Sequence, residues 1–139
     1  MELQDMIDLA ERLNGDQTPI ALLLGRTIIA ADREGHVRLR FEARPEFCNG
    51  DGVVQGGLVA AMLDAALGAA VRAKAGADAR PVTTEFSVRF VRPVCPGAVD
   101  AVGRVLAYAG RTAIVQAEVI DAEGQIIACA TSTKLVKLK

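Results

Sequence analysis

Apolar and polar residues follow two different periods along this chain. From Val37 to Ala43, Val37, Leu39 and Phe41 alternate with Arg38, Arg40 and Glu42, the period of a half-buried strand. Thr27 to Ala31 precedes it across the turn DREGH, so the pair reads as a hairpin. Alternation returns from Val82 to Val91. There Val82, Thr84, Phe86, Val88 and Phe90 share one face, read as core, and Thr83, Glu85, Ser87 and Arg89 share the other, read as polar. Three further strands, Val99 to Tyr108, Thr112 to Ile120 and Ile126 to Val136, are separated by YAGR and DAEGQ, turns whose glycine supplies positive φ.

The helical period appears twice. Met6, Leu9, Ala10 and Leu13 mark a short leading helix stopped by Asn14-Gly15, after which a loop and the apolar PIALLLG lead to the hairpin. The second helical segment, within FCNGDGVVQGGLVAAMLDAALGAA, carries a single ionisable side chain, Asp64, between Gly52 and Val71. With no wholly polar face, this long helix must be buried on nearly all sides. Hairpin-linked strands outnumber helices, so the chain is read as α+β: a curved, mainly antiparallel sheet with the long helix on its inner face. One sheet cannot cover a helix completely. A second copy of the chain is therefore expected to cover the remainder, making a homo-oligomer.

Composition narrows the partners. A chain of 139 residues has room for one domain with a core, here taken as 1–139, of which 1–23 is the leading helix and loop. With 16 basic and 17 acidic residues, no basic run and few aromatics, nothing favours capture of nucleic acid. The acidic, amphipathic start MELQDMIDLAERLNG does not resemble a secretory signal, and a cytoplasmic location is expected. The Gly52 to Val71 run is long enough to raise a membrane span, but it is rich in Ala and Gly and its central carboxylate would cost about 2.5–3.5 kcal/mol on insertion. A buried helix is expected instead. Cys48, Cys95 and Cys129 match no zinc or disulfide spacing and are read as reduced and mostly structural.

Candidate chemistry centres on Asp64. Gln55-Gly56-Gly57 stands where the long helix should begin, and the free N–H groups of a helix start favour negative charge. Hydrolysis of an ester or thioester develops charge on the carbonyl oxygen, which an N–H of Gly56 or Gly57 could stabilise by about 2.7–4 kcal/mol. Asp64 lies roughly 12–13 Å further along the helix, at 1.5 Å per residue. One helix therefore cannot supply both groups, and Asp64 is expected to work with the helix start of a neighbouring subunit. Its apolar surroundings should raise its pKa by desolvation, as suits a base or nucleophile. A buried hydrogen-bonding role, without chemistry, is the plain alternative.

The segments NGDGVVQGGLVAAMLDAALG and PVTTEFSVRFVRPVCPG resemble the hotdog-fold acyl-CoA thioesterases of the phenylacetate-degradation (PaaI-like) group, over about Leu24 to Val136. The family motif places Asn, then Gly, then His-Gly-Gly, and an acidic residue nine positions beyond the His; this chain has Asn49, Gly52, Gln55-Gly56-Gly57 and Asp64. The resemblance implies a hotdog fold and an acyl-CoA thioesterase acting on an aryl or short- to medium-chain acyl group. It also implies Asp64 as base or nucleophile, the Gly56 N–H as oxyanion donor, Asn49 holding the attacking water or the carboxylate, and Thr83 orienting that water. Gly57 joins Gly56 at the substrate. The family's site is shared across a dimer, and a tetramer built as a dimer of dimers is expected here. Gln55 replaces the usual His: its amide can donate to a thioester carbonyl but cannot titrate near neutrality.

Other residues read more plainly. His36, the only histidine, lies in the hairpin turn, remote from the motif, so neither a Ser-His-Asp nor a Cys-His arrangement is supported. Arg89, Arg92 and Arg111 are candidates for the phosphates of coenzyme A, against the ordinary reading of solvated surface arginines. A lone His and scattered carboxylates give no metal-ligand spacing, so catalysis is expected to be metal-free, with no cofactor apart from the coenzyme A of the substrate. A non-catalytic acyl-CoA-binding protein and an enoyl-CoA hydratase or dehydratase are the alternatives.

Overall fold

The computed structural model describes residues 1–15 and 17–137. Two short helices lead the chain, α1 (Leu3–Asn14) and α2 (Pro19–Leu24). They are followed by the hairpin β1 (Thr27–Ala31) and β2 (His36–Ala43), the long helix α3 (Gly56–Ala75), and β3 (Arg80–Phe90), β4 (Gly97–Ala109), β5 (Thr112–Ile120) and β6 (Ile126–Lys137). All strand pairs are antiparallel, in the order β1-β2-β4-β5-β6-β3. This six-stranded curved sheet wrapped on one long helix is the hotdog fold.

The segment expected to be a loop before Leu24 contains α2, while Asp16 within that loop lies outside the described residues. Thr18 caps α2 by accepting a hydrogen bond from the Ala21 N–H at 3.2 Å, Pro19 occupies the first turn, and Gly25 closes it with φ +60°. The apolar run PIALLLG, to which periodicity assigns no element, thus has a cap at each end. Asn14, where α1 ends, turns its amide onto the free edge of β1. It donates to the Ile28 carbonyl at 2.9 Å and accepts from the Ile28 N–H at 2.8 Å.

The helix α3 sits close against the sheet because β4 has no side chain where the two cross. A Cβ on Gly103 would lie 2.9 Å from the Ala66 carbonyl oxygen, a backbone contact that could be relieved only by moving the helix. Val59, Met62, Leu63, Ala66, Leu67, Ala70 and Val71 of α3 are buried against Leu39, Phe41, Val115 and Val119 of the sheet. A second stripe of α3, through Leu58, Ala61, Asp64, Ala65 and Gly68, is left half-buried. These positions recur three and four residues apart, so they form one face, beside the edge strand β3.

On the outer face, Arg40 is directly opposite Asp100 in the β2–β4 register and grips its carboxylate with two bonds, Nε–Oδ1 at 2.6 Å and Nη2–Oδ2 at 2.9 Å. Arg38 adds a third at 2.7 Å. The hydrogen bonds from Arg40, with help from Arg38 and against the opposing effect of burial, hold the Asp100 carboxyl below its ordinary value. A lowered carboxylate stabilises the fold at pH above its unfolded value and stops doing so as pH falls through the folded one. Asp100→Asn is therefore expected to lower the melting temperature at pH 7. The difference from the parent should close as pH drops below about 4, which melting curves over that range would check.

Candidate active site

The strand β3 does not alternate as simply as its sequence suggests. Thr83 pairs with Lys134 and Glu85 pairs with Thr133, so Thr84 is an extra residue, a bulge. Beyond the bulge, Phe86, Val88 and Phe90 pair with Ser132, Ala130 and Ala128, the buried row of β6. Thr83 pairs with the same row at Lys134, so it faces the helix and not the polar side to which strict alternation assigned it. Val82 is correspondingly turned outward and exposed. Side chains stitch the bulge: the Thr84 hydroxyl donates to the Thr133 carbonyl at 2.9 Å, the Thr133 N–H donates to the Glu85 carboxylate at 2.9 Å, and the Ser132 hydroxyl donates to the Glu85 carbonyl at 2.6 Å.

The bulge brings Thr83 to Asp64. The Thr83 hydroxyl donates to Asp64 Oδ1 at 3.0 Å, and Lys134 Nζ donates to the same oxygen at 2.6 Å and also to Thr83 Oγ1. Lys134 is 2% exposed and Asp64 44% exposed. The desolvated carboxylate expected at Asp64 is thus not what the fold builds in the single chain: the group is half-exposed and ion-paired. Among the described residues Asp64 Oδ2 has no hydrogen-bond partner, and it is the oxygen left for other work. Thr83 uses its one proton on Asp64 and one lone pair on Lys134, which leaves one lone pair to accept from a water.

Lys134 is not among the residues that the sequence motifs single out, although the sequence carries a signal for it. In β6 the inward row runs Ala128, Ala130, Ser132, Lys134, Val136, so a lysine falls in phase with buried small and apolar positions. A cation at such a position requires a partner.

The other expected site residues gather at the start of α3. Asn49 is exposed, in a turn in which its Oδ1 accepts from the Asp51 N–H at 2.9 Å. Gln55 is the residue before the helix, with φ −55° and ψ 134°; its carbonyl accepts from Leu58 and Val59, and its side chain makes no capping bond. The N–H groups of Gly56 and Gly57 have no acceptor among the described residues, as the first turn of a helix dictates. The space before Gly57 is open: among the described residues, apart from its chain neighbours and the backbone of its own helix, no atom lies within 4 Å of where a Cβ would stand. Gly56 lines a cleft of about 280 Å³ together with Phe90, Arg92 and Val94. Arg92 donates to the Ile126 carbonyl at 3.1 Å. Arg89, paired with Cys129 on the outer face of the sheet, is not part of either group.

The site residues thus fall into two halves, Asp64 with Thr83 and Lys134, and Asn49 with Gln55, Gly56, Gly57 and Arg92. Eight helical residues, about 12 Å, separate them along α3. Elsewhere, His36 Nδ1 lies 3.0 Å from Asp32 in the exposed hairpin turn, and the three cysteines are free.

Comparison with known proteins gives the family and the fold. The profile of the Thioesterase superfamily matches residues 51–128, more than half of the chain, from the turn before α3 into β6. The protein belongs to the thioesterase superfamily. Its structure is similar to that of a phenylacetic acid degradation-related protein of Ralstonia eutropha JMP134, at 29% identity and a TM-score of 0.82, covering 91% of this chain and 98% of that one. The E. coli PaaI protein of the phenylacetic acid degradation operon shares the fold at 19% identity and a TM-score of 0.82, covering 96% and 95%. So does the Streptococcus mutans protein smu.793 bound to acetyl CoA, at 23% identity and a TM-score of 0.72, covering 81% and 88%. Within this superfamily the resemblance is to the PaaI-like hotdog group. The curated proteins include no match.

Proposed function

We propose that the protein hydrolyses acyl-CoA thioesters, with the two halves of the site contributed by two copies of the chain. The observation that carries this reading is the Asp64–Thr83 hydrogen bond on the half-buried stripe of α3, which holds one carboxylate oxygen and leaves the other unpartnered among the described residues. The acetyl CoA seen in smu.793 supports coenzyme A as the carrier. Water attacks the thioester carbonyl carbon while Asp64 Oδ2 takes its proton; the C–S bond then breaks, giving the free acid and a coenzyme A thiolate that is protonated as it leaves. The N–H of Gly56 from the other copy stabilises the oxyanion, and Gln55 lies beside it as a neutral donor. Asn49 holds the water or carboxylate, Gly57 leaves room for the thioester, and Arg92, which lines the same cleft as Gly56, meets a phosphate of coenzyme A.

The second copy is argued from what the single chain leaves open. The edge strand β3 has only β6 beside it, Phe86 and Phe90 on its helix side are exposed, and the adjoining α3 stripe is half-buried. Pairing two such edges buries both and brings each Asp64 toward the other chain's helix start. A dimer is the minimum assembly, and a tetramer joins two of them. Small residues beside Asp64, among them Ala61, Ala65 and Gly68, leave space for an aryl or short- to medium-chain acyl group.

The test is release of coenzyme A thiol from a panel of phenylacetyl, hydroxybenzoyl and C4 to C12 acyl thioesters, together with the solution mass. Turnover of one member by an oligomer is the expected result. One observation favours a second reading: the Lys134 ion pair would also suit a non-catalytic acyl-CoA binder whose Asp64 is purely structural. Tight binding without turnover across the panel would establish that reading instead.

A further inference from the structure

We infer that Lys134 is a positioning residue, fixing which oxygen of Asp64 acts on water; this rests on the hydrolytic reading above. Lys134 lies on the inward row of β6, between Ser132 and Val136, with Ala113 of β5 and Thr83 of β3 as its cross-strand neighbours. No salt bridge to another carboxylate exists among the described residues, and none of the flanking positions can hold a counter-charge. At 2% exposure an ammonium there is held only because it is paired.

The consequence for Asp64 is geometric. A carboxylate on a helix is free to rotate about two bonds, which makes its oxygens interchangeable. Here Lys134 at 2.6 Å and Thr83 at 3.0 Å both donate to Oδ1, and Lys134 also donates to the Thr83 oxygen, so three side chains from α3, β3 and β6 close a ring. The plane of the carboxylate is thereby set, with Oδ1 occupied and Oδ2 without a hydrogen-bond partner among the described residues. Lys134 itself is too buried to touch a substrate. Nor does it serve as a base toward Thr83: an ammonium that donates to both neighbours has no lone pair with which to take the hydroxyl proton. The ring assigns proton transfer to Oδ2 and orientation to Lys134, and makes Thr83 a fixed acceptor for the water.

Steady-state hydrolysis of the best thioester in the panel, with melting curves and solution mass, on Lys134→Met, Lys134→Arg, Asp64→Asn and the Asp64→Asn/Lys134→Met double variant tests this. For Lys134→Met the expected result is a fall in kcat of about 10- to 100-fold with KM held within about 3-fold, the scale of one hydrogen bond to a charged group. Lys134→Arg should recover part of the loss, because a guanidinium can still reach Oδ1. In the Asp64→Asn background, Lys134→Met should cause no further loss of kcat, since its effect passes through Asp64. Should Lys134→Met not assemble, Lys134→Gln, which keeps an N–H donor without the charge, is read in the same way. An unchanged kcat in assembled protein, a change confined to KM, or a further loss added to that of Asp64→Asn would overturn the inference. Wild-type protein without turnover would overturn the hydrolytic reading and the role of Lys134 with it. Turnover that is indifferent to Lys134 would sink only the latter.

Discussion

Asp64→Asn is expected to cut kcat by about 10²- to 10⁴-fold, the usual contribution of a positioned general base, and to weaken the fold in the same step. The second effect comes from Lys134. Removing the carboxylate charge leaves a nearly fully buried ammonium facing only amide and hydroxyl oxygens. Breaking a fully buried pair costs about 3–5 kcal/mol; with Asp64 44% exposed and the Asn oxygen still able to accept, about 1–3 kcal/mol is expected. Loss of activity in this variant alone would therefore mix chemistry with stability. The double variant Asp64→Asn/Lys134→Met separates them, because a methionine fills the space of the lysine without its charge. It should regain most of the stability and none of the activity, as measured by denaturant unfolding and thiol release. Hydrolysis that persists in a folded double variant would remove Asp64 from the chemistry.

Gly56→Pro is the second large effect, and its cost to the fold should be small. Gly56 is the first residue of α3, a position proline accepts because its N–H has no intrahelical partner. Gln55 before it already has φ −55° and ψ 134°, the extended backbone that a following proline prefers. The nearest atom to an added Cβ is Phe90 Cζ at 3.4 Å, an ordinary van der Waals contact. The substitution therefore removes one N–H donor and little else, and kcat should fall about 10²- to 10³-fold if that donor stabilises the oxyanion. The same variant tests the shared site. In a hybrid dimer of Gly56→Pro and Asp64→Asn subunits, one site combines an intact Asp64 with an intact Gly56, while the other has neither. Equal mixing and reassembly of the two inactive proteins should restore about a quarter of the wild-type activity, since half the dimers are hybrids with one good site each. No recovery would place both groups of a site within one chain, or one of them outside it.

Much of the fold is legible in the sequence. The strands β2 and β3 announced themselves by alternation, β1, β4, β5 and β6 by the turns that join them, and α3 by an apolar run with glycines at its start and one carboxylate in its middle. The separation of Gly56 and Asp64 along α3 was also readable, because 1.5 Å per residue is a property of any helix. Less visible was α2, whose caps lay in a segment too short for periodicity to register. The face of Thr83 was misassigned, because a bulge changes which side a residue takes without leaving a mark in the hydrophobic pattern.

The sequence by itself therefore determined the architecture: period-two strands, one helix with no polar face, and a glycine pair opening that helix. It also singled out Asp64, since an isolated carboxylate in apolar surroundings is legible from composition alone. What the tertiary structure decided was the company Asp64 keeps. Lys134 is 70 residues away along the chain and Thr83 is 19 away, and they meet on one oxygen only because β3 and β6 pair in a register shifted by a bulge. Local sequence sets the periods of elements, through steric and hydrogen-bonding preferences within a few residues. The register between distant strands is set by the packing of the whole sheet on α3, so the partners of a side chain across that sheet are known only once the fold is complete.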